Sequence, residues 1–116
     1  MNVLLVFIGG GIGCVTRYLI GLGFQKTSLT LPFSTFVSNI SACIIFAATL
    51  WVMGNKDMTN PGLKLLILTG FCGGLSTFAT FGYETFLLFK QGFQTYAVLN
   101  VLITTCLSLL IFNIFK

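Results

Sequence analysis

The residues in this sequence with chemical capability are amides, hydroxyls and aromatic rings, and they gather around residues 70–81, which read GFCGGLSTFATF. Gly70, Gly73 and Gly74 permit turns or close approach, and Ser76, Thr77 and Thr80 supply hydroxyls. Phe78 and Phe81 stand three residues apart on nearly one helical face, and Thr77, Thr80 and Glu84 follow at i, i+3 and i+7. Elsewhere Thr35, Ser38 and Asn39 interrupt an apolar run, and Tyr96, Asn100, Thr104 and Ser108 recur every four residues as one polar stripe. Amide and hydroxyl groups can all point hydrogens at an anion, and an aromatic ring carries a positive edge. The set suits a small anion lying against the edges of Phe78 and Phe81 while Asn39 and Thr80 replace part of its lost water. A cation path is expected to carry carboxylates instead, and Glu84 is the one candidate.

Each of these groups also has a packing reading. Asn39 either donates to a passing anion or joins two helices by a hydrogen bond worth about 1 kcal/mol. The Tyr96–Ser108 stripe faces either a partner helix or a narrow polar path. Glu84 lies about 9 Å from Lys90 along a helix, so it is either an interfacial carboxylate or a charge at a mouth. Catalysis has no visible machinery: no nucleophile with a base, no paired carboxylates, no metal-ligand cluster and no phosphate loop followed by lysine. The protein is therefore not expected to be an enzyme. Histidine is absent, and Cys14, Cys43, Cys72 and Cys106 fall one in each apolar segment without a CxxC pair, which reads as small apolar filling.

The elements that must position these groups are set by composition. Over 116 residues the chain is 56% hydrophobic and 7% charged, with a mean hydropathy of +1.02, which describes an integral membrane protein. Its net charge of +4 comes from six scattered Lys and Arg residues. They form no basic stripe, so nucleic acid is excluded as a partner. Four apolar segments, 3–24, 31–54, 65–89 and 93–115, each reach the roughly 20 residues that cross about 30 Å of hydrocarbon. The fold expected is all-α, four transmembrane helices forming one domain over residues 1–116, multi-pass in the cell membrane. Connectors 25–30, 55–64 and 90–92 leave no room for a soluble domain. The first run lacks a basic n-region and is too long for a signal-peptide core, so it reads as a retained helix.

Within helix 1, Gly9 and Gly13 form a GxxxG pair suited to close packing in lipid. Arg17 costs several kcal/mol in a span unless it finds partners or snorkels, and it either reaches the interface or charges a pore entrance. Helix 2 is expected to start at Pro32, a residue accommodated in a first turn. Helix 3, at 25 residues, would run about 37 Å, more than the hydrocarbon needs. The surplus predicts a break within residues 70–76, with freed carbonyls available to a cation. Loop charge is nearly even, with Lys56, Lys64 and Lys116 on one side, and Lys26 and Lys90 on the other with Arg17 nearer to them. That balance predicts dual topology and an antiparallel dimer.

The pattern Gly9–Gly13 with Arg17, then Thr35-x-x-x-Asn39, then Gly70-x-x-Gly73-Gly74-x-Ser76-Thr77-Phe78-Ala79-Thr80-Phe81 resembles the Fluc/CrcB family of fluoride channels over the whole chain. The resemblance implies an antiparallel, dual-topology dimer with two pores that passively exports fluoride. It implies that Asn39 lines the pore, that Phe78 and Phe81 give ring-edge contacts, and that Thr80, Thr104 and Ser108 mark a polar track. A central structural sodium ion would be held by the backbone carbonyls of Gly73 and Ser76. The sequence departs from the family pattern at Ser76, where Thr is usual, at Ala79, where Ser is usual, and at Ser34, Ala42 and Ala47, where glycine is usual. The missing helix 2 glycines keep open a heterodimer of two related chains beside the homodimer. Two rival readings are a small multidrug antiporter and a non-transporting assembly subunit. Antiporters of that kind resemble this chain in outline and use an acid deep in helix 1, where this chain has Arg17 and no acid.

Overall fold

A computed structural model describes residues 2–24, 33–55 and 61–115, nearly all of them helical. The elements are α1 (Asn2–Gly23), α2 (Phe33–Asn55), α3 (Pro61–Lys64), a π-helical segment (Leu65–Cys72), α4 (Gly73–Leu75), α5 (Phe78–Lys90) and α6 (Gln94–Ile114). Among the described residues four spans are long and apolar enough to cross a membrane: Asn2–Gly23, Phe33–Gly54, Pro61–Lys90 and Gln94–Ile114. The third is assembled from α3, the π-helical segment, α4 and α5. The expected start at Pro32, connector 25–30 and the loop charges Lys26, Lys56 and Lys116 lie outside the described residues.

One boundary is corrected. The polar turn expected over 55–64 ends earlier, because Pro61 already opens a helix. Proline is suited to a first turn, since the N–H it lacks would have no partner there. The third span is consequently 30 residues, which as one continuous helix would extend about 45 Å. It is not continuous. Residues 70–75 stay helical, and the break falls just after them, at Ser76 (φ −85°, ψ 156°) and Thr77 (φ −152°, ψ 123°).

Two of the three glycines expected to make that break, Gly70 and Gly74, serve close packing instead, while a Cβ at Gly73 would meet nothing within 4 Å. A Cβ at Gly9 would collide with the Leu66 carbonyl, one at Gly13 with the Phe71 carbonyl, and one at Gly74 with the Gly10 carbonyl. At Gly70 it would stand 3.0 Å from the Gly9 Cα. The GxxxG face of α1 thus meets the π-helical segment and α4 backbone to backbone, a contact only glycine allows.

The end of α5 is closed by Gly92 at φ 90°, with Phe93 N–H donating to the Leu88 carbonyl at 2.8 Å and Gly92 N–H to the Phe89 carbonyl at 3.2 Å. This left-handed glycine cap satisfies the last carbonyls and sends α6 back antiparallel along α5. Ala42, Cys72 and Leu75 form a small core between α2 and the third span, with Ile20, Ile45, Phe46 and Phe71 packed on it. Most apolar side chains of α1 and α6 face outward, Val3, Phe7, Leu109 and Ile114 among them. In a bilayer such faces meet lipid or another helix.

Candidate functional site

The break between α4 and α5 is organised by Asn39. Its Oδ1 accepts the Thr77 N–H at 2.8 Å, and its Nδ2 donates to the Thr77 carbonyl at 3.4 Å. Thr77 in turn caps α5, its Oγ1 accepting the Thr80 N–H at 3.3 Å. These bonds have a consequence for two carbonyls. In an uninterrupted helix the Thr77 N–H would bond the Gly73 carbonyl and the Thr80 N–H the Ser76 carbonyl. Both donors are diverted to side chains, so the Gly73 and Ser76 carbonyls, the two that the resemblance implies for a sodium ion, do not receive these helical donors. Oxygen ligands from unwound backbone are what such a cation takes in membrane proteins, so the residues present fit the ion.

Asn39 also lines a cavity of about 340 Å³ together with Phe78, Phe81, Thr104 and Ser108. The two rings lie 6.1 Å apart between centroids and are tilted by 45°. Phe78 is 85% exposed, as a ring must be to offer its edge to anything beyond its own chain. On α6, the Ser108 hydroxyl donates to the Thr104 carbonyl at 2.7 Å. The Thr104 hydroxyl, on a buried residue, has no hydrogen-bond partner among the described residues. Five of the six residues expected along an anion path therefore border one cavity.

The sixth, Thr80, borders a second cavity of about 480 Å³, shared with Arg17, Thr35, Ser38, Thr77 and Glu84. Thr77 lines both cavities, so the break forms the wall between them. Arg17 Nε donates to the Gly74 carbonyl at 3.1 Å, so the guanidinium is tied to the third span at this cavity. Glu84 is also held inside: Thr35 donates to its Oε1 at 2.6 Å, while Oε2 is buried without a partner among the described residues. Ser38, 1% exposed, likewise has an unpartnered hydroxyl there.

The α6 stripe divides between the packing and the path readings. Asn100 Nδ2 donates to Thr85 Oγ1 at 3.1 Å and so joins α6 to α5, and Tyr96 stacks near Phe93 with ring centroids 5.7 Å apart. Only Thr104 and Ser108 of the stripe border the ring cavity. Sequence reasoning missed Cys43, which borders it too. The signal was available, because Cys43 stands four residues after Asn39 on the same face of α2.

The family profile of the CrcB-like proteins (Camphor Resistance) matches residues 4–114. The chain belongs to the CrcB family. It is 40% identical over 108 residues, 93% of this chain and 85% of the relative, to the fluoride-specific ion channel FluC 1 of Yersinia pseudotuberculosis. It is 42% identical over 99 residues, 84% of this chain and 77% of the relative, to the fluoride-specific ion channel FluC of Klebsiella pneumoniae. With that of Desulfotalea psychrophila it shares 39% over 92 residues, 79% of this chain and 71% of the relative. This CrcB protein is a multi-pass protein of the cell membrane, built of four apolar helical spans.

Proposed function

We propose that this CrcB protein is a fluoride-selective ion channel that lets fluoride leave the cell down its gradient and so relieves fluoride toxicity. The observation that carries the reading is one cavity. Phe78, Phe81, Asn39, Thr104 and Ser108 converge on it, in a chain about 40% identical to channels named for fluoride. Ring edges and polar hydrogens replace the water a small anion sheds, and among the described residues no carboxylate stands in that lining. The protein is a channel and not an enzyme. Neither rival reading gains support: α1 carries Arg17 where an antiporter needs an acid, and an assembly subunit has no use for a polar cavity beside exposed rings.

We further propose that the working unit is an antiparallel, dual-topology dimer with a structural sodium ion at its centre. The exposed Phe78 ring and outward apolar faces support a second copy, and the near-even loop charge supports the opposite orientation. Gly73 and Ser76 would hold the ion with their carbonyls, and it would supply a fixed charge joining the two chains. Two carbonyls from one chain leave a cation's oxygen shell incomplete, which a second copy doubles. A homodimer is favoured over a pair of related chains by that same charge balance.

A growth experiment tests the fluoride assignment. Cells lacking their own fluoride exporter should regain growth on fluoride when they express this chain, and should stay sensitive when they express Phe81→Ile. Failure of the native chain to protect, although it is present in the membrane, counts against the assignment. For topology, Lys26→Cys should react with a membrane-impermeant thiol reagent from both faces. Reaction from one face alone favours the heterodimer.

A further inference from the structure

Cys43 is the one cysteine that borders the ring cavity, among Asn39, Phe78, Phe81, Thr104 and Ser108. Cys14 borders the other cavity, Cys72 is buried in the core, and Cys106 is exposed on α6. The Cys43 thiol donates to Ser108 Oγ across 3.5 Å, and Ser108 passes its own hydrogen to the Thr104 carbonyl. A second feature of this wall is independent of the thiol. Thr104, 8% exposed, borders the same cavity, and its buried hydroxyl has no partner among the described residues. Buried polar groups are ordinarily satisfied, so an orphan hydroxyl in a cavity wall points to an occupant that enters and leaves.

We propose that Cys43 is a modification site in the cavity wall, at which a small, soft, thiol-seeking electrophile blocks the path. The inference rests on the reading of this cavity as the fluoride path. With methyl methanethiosulfonate as the electrophile, the Cys43 sulfur attacks the reagent's sulfenyl sulfur and forms an S–S bond. Methanesulfinate leaves with the electron pair of the broken bond, and the thiol proton goes to water. The product carries a methylthio group beside Asn39 and Ser108, and the thiol's bond to Ser108 is lost. Bulk is added and a polar hydrogen removed at one point of the wall, so passage of a small anion that has shed its water is obstructed twice over.

The experiment uses the full chain in liposomes, comparing the native protein, Cys43→Ser, and a triple variant (Cys14→Ser, Cys72→Ser, Cys106→Ser) that keeps Cys43 alone. Each is referred to its own untreated fluoride flux, and mass spectrometry records which cysteine carries the added methylthio group. The expected result is that the native and triple-variant proteins are labelled at Cys43 and lose most of their flux, and that dithiothreitol restores it. Whatever flux Cys43→Ser retains should not respond to the reagent. Labelling at Cys43 with unchanged flux, an absence of label at Cys43, or a Cys43→Ser protein that is still blocked would each overturn the proposal. Absence of fluoride flux before any treatment would strike the channel reading itself, which keeps the two failures apart.

Discussion

The side chain of Asn39 on α2 and the backbone of Thr77 in the third span form a two-point contact, Oδ1 accepting at 2.8 Å and Nδ2 donating at 3.4 Å. Through it a residue on one helix holds open the break in another. One amide therefore serves two ends: it fixes the start of α5, on which Phe78 and Phe81 are mounted, and it borders the cavity those rings face.

Replacing Asn39 separates these roles. Asn39→Ala leaves the Thr77 N–H without its acceptor and should cost about 1–3 kcal/mol of stability, with loss of fluoride flux. Asn39→Asp keeps the acceptor and removes the donor. Thermal unfolding in detergent should show Asn39→Asp closer to the native protein than Asn39→Ala, while its flux remains low.

The rings are tested without touching that contact. Phe78→Ile and Phe81→Ile should each remove most of the fluoride flux while the protein still elutes as the native assembly in size-exclusion chromatography. Native-like flux in either variant removes that ring from the path.

Glycine packing makes a contrast between neighbours on α1. Gly13→Ala places a Cβ against the Phe71 carbonyl and should destabilise by about 1–3 kcal/mol. At Gly11 a methyl group would meet nothing within 4 Å beyond its own helix, and Gly11→Ala should be neutral or stabilise by up to about 1 kcal/mol. Unfolding temperatures of the two variants make the comparison.

Thr35 donates to Glu84 Oε1 at 2.6 Å while Oε2 already lacks a partner among the described residues. Thr35→Val should destabilise by about 1–3 kcal/mol, and Thr35→Ser should recover most of that loss. Equal stability of the two variants would show that the hydroxyl contributes nothing.

The four spans were legible because the predominantly apolar segments 3–24, 31–54, 65–89 and 93–115 make up most of the chain, and little other than a spanning helix accounts for such runs. The interruption of the third span was legible as well, but its place only at the edge: a break expected within residues 70–76 falls at Ser76 and Thr77. Glycine reads as a breaker, whereas here Gly70 and Gly74 lie within helix, their bare backbone packed against Gly9 and Gly10. The break falls at Thr77, where a distant residue, Asn39, competes for its N–H. Such competition depends on two helices meeting, which spacing within one of them does not reveal. For the same reason Thr80, in sequence between the two rings, turns to the cavity of Arg17 and Glu84, and Cys43 escaped notice among apolar neighbours.

The most direct test of the central claim is ion flux from liposomes holding the purified protein, read with fluoride and chloride electrodes in parallel. The expected result is rapid fluoride release with chloride retained. Equal release of both ions, or release of neither, would contradict a fluoride-selective channel.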